Sequence, residues 1–201
     1  VHNQKSEFRL NWVKNKILNI FRKSYLFIQK KMSINYSDLI IGHSKVNLIY
    51  FKENWFDFPQ KFRAIKNGID FFKLEENLDL NKDKNLKLIN FSNDSKITFV
   101  HIGSFRKQKN HLFLINCFKE LKPIQNNYKL ILLGSGSKLI MDKVKQKVFE
   151  LGLDSHTLFV GMEPNIRPYL ERSDIFIFPS LYEGFGNVLI EAQYLGLPIV
   201  A

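Results

Sequence analysis

A chain of 201 residues can form one domain with a sizeable core, or one domain and part of a second. Hydrophobic residues make up 45% of the sequence and aromatic residues 14%, which excludes an intrinsically disordered chain. Lysine and arginine number 30 against 19 acidic residues, and the net charge of +11 favours anionic partners: nucleotides, nucleic acid or an acidic membrane face. The single cysteine, Cys117, excludes an internal disulfide and is predicted to be buried on a helix.

Residues 1–33 have the pattern of a basic amphipathic helix. Its lysines and arginines lie largely off a stripe of mostly apolar side chains, which comprises Leu10, Val13, Ile17, Phe21, Ser24 and Ile28. Such a helix either packs on a neighbouring domain or lies on a membrane surface. Two short strands are predicted next, over residues 38–44 and 62–70, and an Asn-Gly turn signal ends the second strand.

Residues 73–95 are rich in Asn, Lys and Asp, which favours a linker or surface loop. A regular alternation follows, with predicted strands KITFVHIG, YKLILLG, TLFVG, DIFIFP and LPIVA. The predicted helices between them are NHLFLINCFKEL, SKLIMDKVKQKVFEL, NIRPYLERS and residues 187–195. This alternation predicts an α/β fold with a doubly wound, Rossmann-like parallel sheet. Because the pattern is incomplete at both ends, we expect a fragment of a longer protein.

Three of the predicted strands end in loops suited to anions, and the first loop is GSFRKQKNH, residues 103–111. It places Arg106, Lys107 and Lys109 between a strand end and a helix start. The backbone N–H groups and the positive dipole end of the helix add to these cations, so the loop favours a phosphate or diphosphate. The alternative is an ordinary basic loop in solvent.

The second loop is GSGSK, residues 134–138, an incomplete G-x-G-x-x-G motif without a third glycine. Its two glycines, Gly134 and Gly136, indicate that a ligand or a neighbouring loop approaches the backbone closely.

The third loop is EGFGNVLIE, residues 183–191, which joins a buried strand to a helix through a tight glycine turn. Asn187 is predicted to cap this helix and to leave the first backbone N–H groups free for an anion. Glu183 before the turn and Glu191 after it can accept hydrogen bonds from hydroxyls, with a phosphate between them. This arrangement suits a sugar nucleotide. Paired carboxylates also serve glycoside hydrolysis, but a hydrolase has no use for the phosphate-binding helix ends that converge here.

These motifs resemble the nucleotide-binding half of the retaining glycosyltransferases of family 4, the glycosyl transferases group 1, over about residues 67–201. Glu183 and Glu191 match the family's E-x7-E motif, and GSFRKQKN partly matches its G-R-L-x-x-x-K-G phosphate motif. NGID, LLGSGS, FVG and GLPIVA match further signatures, and QKNH is typical of exopolysaccharide and capsule-building members. The opening VHNQ resembles a His-Asn segment at the cleft edge of the acceptor domain, so His2 is a candidate acceptor-side residue.

The resemblance implies the GT-B architecture, in which two Rossmann-like domains face a cleft. Residues 1–65 would be the end of the acceptor domain, and residues 66–96 the interdomain connection with a loop. Residues 97–201 would be the donor-binding domain, incomplete at its C-terminus.

Roles for single residues follow from the same resemblance. Glu191 would bind the ribose hydroxyls, Glu183 would hold the donor sugar, and Lys109 would stabilise the departing diphosphate. Ser104 stands where the family has an arginine, and we hypothesise that Arg106 replaces it; the alternative is that Arg106 points to solvent. The other donor-binding candidates are Gly103, Ser104, Gly134, Gly136, Gly184, Phe185, Gly186, Asn187, Val188 and Leu189.

The implied activity is transfer of a sugar, with retention, from a UDP-sugar to a glycan or polyprenyl-linked acceptor in cell-surface polysaccharide synthesis. We expect no cofactor and no metal, because the sequence has no D-x-D motif and its five histidines lack metal-ligand spacing.

The enzyme is expected to be cytoplasmic, with peripheral contact to the inner membrane face, and the fragment alone to be inactive. A sugar-nucleotide epimerase or phosphorylase of the same architecture is the alternative. No nucleic-acid partner is expected: a basic nucleic-acid-binding protein is disfavoured because a stacking platform and a recognition helix are missing from the sequence.

Overall fold

The computed structural model describes residues 16–71, 82–93, 95–125 and 127–201. The chain divides into two compact units, Val1–Gly68 and Ile69–Ala201. The assignment of these regions to an acceptor domain, a connection and a donor domain stays a prediction. His2, Leu10 and Val13 lie outside the described residues.

The described residues of the first unit form the helices α1 (Lys16–Tyr36) and α2 (Lys45–Ile49) and the strands β1 (Ile40–Gly42) and β2 (Phe62–Ala64). The strands pair in parallel, and a small core forms around them from Ile40, Leu48, Phe51 and Phe62. The second strand was predicted over residues 62–70. It ends at Ala64, because its partner strand ends at Gly42 and has no further residues with which β2 could pair.

The described part of the apolar stripe of α1 is exposed in this chain, and the choice between a neighbouring domain and a membrane surface as its partner stays a prediction. Phe21 is 71% exposed and Ile28 is 56% exposed. The partly buried side chains of α1 include Leu26, Lys30 and Ile34, and Ile34 packs against the small core of the first unit. Lys30 contributes through a cation–π contact, with its Nζ 5.0 Å from the ring centre of Tyr50.

The second unit is a five-stranded parallel sheet with helices between the strands. In chain order it contains α3 (Lys82–Ser92), β3 (Ile97–Ile102), α4 (His111–Leu121), β4 (Tyr128–Leu133), α5 (Lys138–Glu150), β5 (Thr157–Gly161), α6 (Arg167–Glu171), β6 (Ile175–Ile177), α7 (Asn187–Tyr194) and β7 (Ile199–Val200). The strand order is β5-β4-β3-β6-β7. The predicted doubly wound, Rossmann-like α/β fold is confirmed.

Hydrophobic clusters cover both faces of this sheet. Val100 and Ile131 point into one cluster, and Phe99 and Leu130 into the other, as the alternation of side chains along a strand requires. Because both faces are covered, the central strands read as nearly continuous apolar runs in the sequence.

Two predictions about burial in this unit are wrong. Residues 73–95 were predicted to be a loop, but α3 lies within them and Leu88 is fully buried against the sheet. Although that segment is polar in composition, Leu88 and Phe91 of its described part belong to the core. Cys117 is exposed, because α4 buries a different face, that of His111, Leu114, Ile115 and Phe118.

Candidate functional site

Two loops meet at the carboxyl edge of the sheet, residues 103–110 after β3 and residues 178–186 after β6. β3 and β6 are neighbours, and the chain continues from β3 to one side and from β6 to the other. This reversal is the switch point at which open α/β sheets bind ligands.

Gln108 ties the two loops together. Gln108 is buried, and its side-chain Nε2 donates to the backbone carbonyl oxygen of Tyr182 at 2.6 Å. The backbone carbonyl oxygen of Gln108 accepts from the backbone N–H of Leu181 at 2.9 Å. Sequence reasoning noticed Gln108 only as part of the QKNH string and gave it no role.

Lys109 and Glu183 form an ion pair across the two loops. Their Nζ and Oε1 atoms are 2.5 Å apart, and the side chains are only 15% and 22% exposed. Lys109 Nζ also lies 5.0 Å from the ring centre of Phe178. A charge-assisted contact in such a half-enclosed place is stronger than a surface salt bridge. Within the described residues no well-angled hydrogen bond reaches Glu183 Oε1, so the ammonium is its main counterpart.

Gly103 leaves the space that the Lys109 side chain occupies. A Cβ at Gly103 would lie 3.0 Å from His101 Nε2 and 3.1 Å from Lys109 Cδ. Any larger residue would therefore displace the methylenes of Lys109 or the imidazole of His101.

Two neutral histidines line the base of this cluster. His101 is buried on β3, and its Nδ1 is 2.9 Å from the carbonyl oxygen of Ile177, so Nδ1 carries the proton. Burial lowers the pKa of His101 to about 4, with a smaller contribution from the charge of Lys109. His111 stacks on Phe105 with ring centres 4.3 Å apart, and burial lowers its pKa to about 3. Near pH 7 the charged side chains described in this cluster are therefore Lys109 and Glu183.

Gly134 and Gly136 allow the second loop to touch the first. Gly134 has a φ of +138°, and a Cβ there would lie 2.1 Å from the carbonyl oxygen of Gly103. A Cβ at Gly136 would lie 2.7 Å from the backbone N of Phe105. Phe105 N donates to Ser135 O at 3.0 Å, and its carbonyl oxygen accepts from Ser137 N at 3.0 Å. The sequence predicted that a ligand or a neighbouring loop approaches these glycines closely, and the structure shows a neighbouring loop there.

The start of α7 differs from its prediction. Gly186, with a φ of 66°, occupies the N-cap position in the left-handed region, and Asn187 is the first helical residue. The predicted Asn187 cap is wrong, because glycine takes this conformation at no steric cost and the turn closes one residue earlier. The N–H of Leu189, predicted to be free, donates to the carbonyl oxygen of Gly186 at 2.9 Å.

Glu191 is the fifth of the eight residues of α7 and is partly buried. Burial raises the pKa of its carboxyl group. Glu183 and the partly buried Gly184 and Phe185 precede it in the loop. The structure therefore gathers Lys109 and Glu183 into one contact and places Glu191 on the helix that the same loop leads into.

Arg106 is not drawn into this cluster. Its side chain is exposed, and its backbone N–H donates to the carbonyl oxygen of Ser104 at 2.7 Å. Phe105 between them is the buried anchor of the loop. Ser180 was missed by the sequence reasoning; its Oγ is buried after β6 and has no hydrogen-bond partner among the described residues.

Residues 16–71, 82–93, 95–125 and 127–201 contain no group of three His, Cys, Asp or Glu side chains that could hold a metal ion. Within the same ranges no helix combines the length and the apolar character needed to cross a membrane.

A family model described as glycosyl transferases group 1 matches residues 82–201, which include the three loops and both glutamates. The chain belongs to this family. A relative in Campylobacter jejuni, N-acetylgalactosamine-N,N'-diacetylbacillosaminyl-diphospho-undecaprenol 4-alpha-N-acetylgalactosaminyltransferase, is 31% identical over 187 residues, which cover 92% of this chain and 45% of the relative. The capsular polysaccharide biosynthesis glycosyltransferase CapH of Staphylococcus aureus is 28% identical over 198 residues, covering 96% and 51%.

Solved structures show a similar fold. Anabaena HepE, in a crystal structure with UDP and glucose, aligns with a TM-score of 0.72 at 21% identity over 89% of this chain and 48% of that one. WaaG, a glycosyltransferase involved in lipopolysaccharide biosynthesis, aligns with a TM-score of 0.72 at 16% identity over 96% and 52%. This member of glycosyl transferases group 1 thus spans about half the length of the relatives it matches.

Proposed function

We propose that the full-length protein is a retaining glycosyltransferase of family 4. It transfers a sugar from a nucleoside-diphosphate donor to a glycan or polyprenyl-linked acceptor. The observation that carries the proposal is the Lys109–Glu183 pair at the switch point of the sheet, with Glu191 eight residues after Glu183 in the helix that follows. A cation for a diphosphate and two carboxylates for hydroxyls are the groups that a sugar nucleotide requires.

In the proposed reaction the bond between the anomeric carbon and the diphosphate oxygen breaks, and the acceptor oxygen bonds to that carbon on the same face. The acceptor proton passes to an oxygen of the departing diphosphate. Lys109 stabilises the negative charge that grows on this leaving group. Glu183 orients the sugar through its hydroxyls, and Glu191 holds the ribose.

We propose UDP as the nucleotide and a lipid-linked saccharide as the acceptor class. The C. jejuni relative is named for a diphospho-undecaprenol substrate, and HepE was crystallised with UDP and glucose. The net charge of +11 is compatible with peripheral contact with an acidic membrane face on the cytoplasmic side.

The test is an assay of the full-length protein with a panel of UDP-sugars and polyprenyl-diphosphate-linked saccharides, with the anomeric configuration of the product determined by NMR. We expect transfer with retention. Epimerised donor without transfer, or transfer dependent on inorganic phosphate, would assign the protein to the alternative enzyme classes.

Glu191→Ala in this assay should lower transfer by at least about tenfold, because charge-assisted hydrogen bonds worth about 1.5–3 kcal/mol are lost. Glu150→Ala is the matched control, since Glu150 is an exposed acid at the end of α5.

Transfer should also survive EDTA, because Lys109 supplies the positive charge at the diphosphate. Complete loss with EDTA and recovery with Mg²⁺ or Mn²⁺ would contradict this role.

A further inference from the structure

We infer that Glu183 acts as an internal substitute for the donor diphosphate, occupying Lys109 while the site is empty. This inference rests on the proposed function. In it, the carboxylate is more than a sugar-binding group: it competes with the diphosphate for one ammonium. The competition makes the site favour the intact sugar nucleotide over the nucleoside diphosphate that remains after transfer.

The geometry of the empty site carries the inference. Lys109 Nζ and Glu183 Oε1 are 2.5 Å apart, in direct ionic contact, although they come from loops after different strands. Both side chains are largely enclosed, so water screens the pair weakly. Gln108 fastens the two loops to each other, which holds the carboxylate within reach of the ammonium.

The two histidines and the aromatic ring described next to the pair carry no charge near pH 7. His101 and His111 lie beneath it, and both are neutral near pH 7. Phe178 contributes only its ring face to Lys109. An ammonium can neutralise one anion at close range far better than two, so a diphosphate that takes Lys109 must loosen its contact with Glu183.

The consequence differs for donor and product. When a sugar nucleotide binds, the released carboxylate finds hydroxyls of the donor sugar to accept from. When only the nucleoside diphosphate is present, those hydroxyls are missing, and Glu183 returns to Lys109. Glu183 therefore weakens product binding and favours product release, in addition to orienting the sugar.

The experiment is a calorimetric titration of the full-length protein with UDP, GDP, ADP and dTDP, in wild type and in Glu183→Gln. The amide keeps the shape of the side chain but cannot compete as an anion. We expect the preferred nucleoside diphosphate to bind Glu183→Gln at least about fivefold more tightly than wild type, whereas transfer from the sugar nucleotide falls.

Two comparisons separate release of Lys109 from a general gain of positive charge. Glu150→Gln changes the net charge equally at a distance and should leave affinity within about twofold. In a Lys109→Met background, Glu183→Gln should also change affinity by less than about twofold, because no ammonium remains to be released. Equal tightening in both backgrounds, or weaker binding in Glu183→Gln alone, overturns the inference.

The outcome also distinguishes this inference from the proposed function. If wild type binds none of the four nucleoside diphosphates, the proposed function is wrong and the inference falls with it. If wild type binds one of them and Glu183→Gln binds it no more tightly, only the inference is wrong. Should Glu183→Gln fail to fold, Glu183→Asp decides, since its shorter side chain competes less well; unchanged affinity there overturns the inference.

Discussion

Lys109 depends on small neighbours and on an aromatic ring for its place beside Glu183. Gly103 leaves room for its methylenes, and Phe178 lies under its ammonium. The pair thus combines a cation that is held in one position with an acid that contacts it directly. Lys109 contacts a carboxylate directly, whereas Arg106 of the same loop is exposed.

Arg106→Ala tests whether this exposed residue replaces the family arginine missing at Ser104. Turned toward a diphosphate bound at this loop, its guanidinium would hold the ligand through two hydrogen bonds. We expect nucleoside diphosphate binding, measured by calorimetry on the full-length protein, to weaken by about 1–3 kcal/mol. Adding Ser104→Arg should restore part of the loss.

Lys107→Ala is the control for Arg106→Ala, because it removes the same charge from the same loop. It should weaken binding less. Unchanged affinity in Arg106→Ala would leave Lys109 as the side-chain cation assigned to the phosphates.

At the scale of whole elements, Gln108 decides how the two loops of the site are held relative to each other. Gln108→Ala removes a buried donor and leaves the carbonyl oxygen of Tyr182 without its 2.6 Å partner. We expect the free energy of unfolding to fall by about 1–3 kcal/mol. Transfer should fall as well, since Glu183 lies one residue after Tyr182 and loses its position against Lys109.

The matched control for Gln108 is Gln146→Ala. Gln146 also donates from Nε2, to Glu150 Oε1 at 3.0 Å, but on the exposed face of α5. Its loss should change the free energy of unfolding by no more than about 0.5 kcal/mol. Gln108→Glu keeps the length of the side chain without the donor and should behave like Gln108→Ala. Wild-type transfer in both Gln108 variants would show that the contact does not position the site.

The sequence predicts the elements of the sheet well because a parallel strand covered on both faces must be apolar along its length. The glycine turns and the two glutamates were also predictable, since each depends on local spacing. α3 was missed because its segment is mostly polar, although Leu88 and Phe91 belong to the core. The prediction that Asn187 caps α7 was wrong because its neighbour Gly186 can also take the N-cap position, and the sequence pattern does not choose between the two. The roles of His101 and Gln108 depend on partners more than 70 positions away in sequence, which local patterns cannot reveal.

For the molecule as a whole, α3 belongs to the core of the second unit. Leu88→Ala should lower the free energy of unfolding by about 2–5 kcal/mol, the usual cost of a cavity at a fully buried leucine. Leu139→Ala, at a position 63% exposed on α5, is the control and should cost no more than about 0.5 kcal/mol. Urea unfolding measures both. Equal, small effects would mean that α3 does not pack on the sheet in solution.

Buried neutral histidines make the stability of the second unit depend on pH. The folded-state pKa values of His101 and His111, about 4 and about 3, lie below the 6.5 of the unfolded chain. Between these values the unfolded state binds more protons, so the free energy of unfolding is highest above about pH 6.5 and falls as the solution becomes more acidic.

The expected loss between pH 7.5 and pH 5.0 is about 2 kcal/mol for each of the two histidines, which follows from the difference between folded and unfolded pKa values. Urea unfolding of the wild type and of His111→Phe at both pH values measures it. Phenylalanine can keep the stacking on Phe105, whose ring centre is 4.3 Å from that of His111, but cannot bind a proton. The variant should therefore lose about 2 kcal/mol less than wild type on acidification, whatever its stability at pH 7.5. An identical pH dependence in the two proteins would mean that His111 is not the group whose protonation opposes folding.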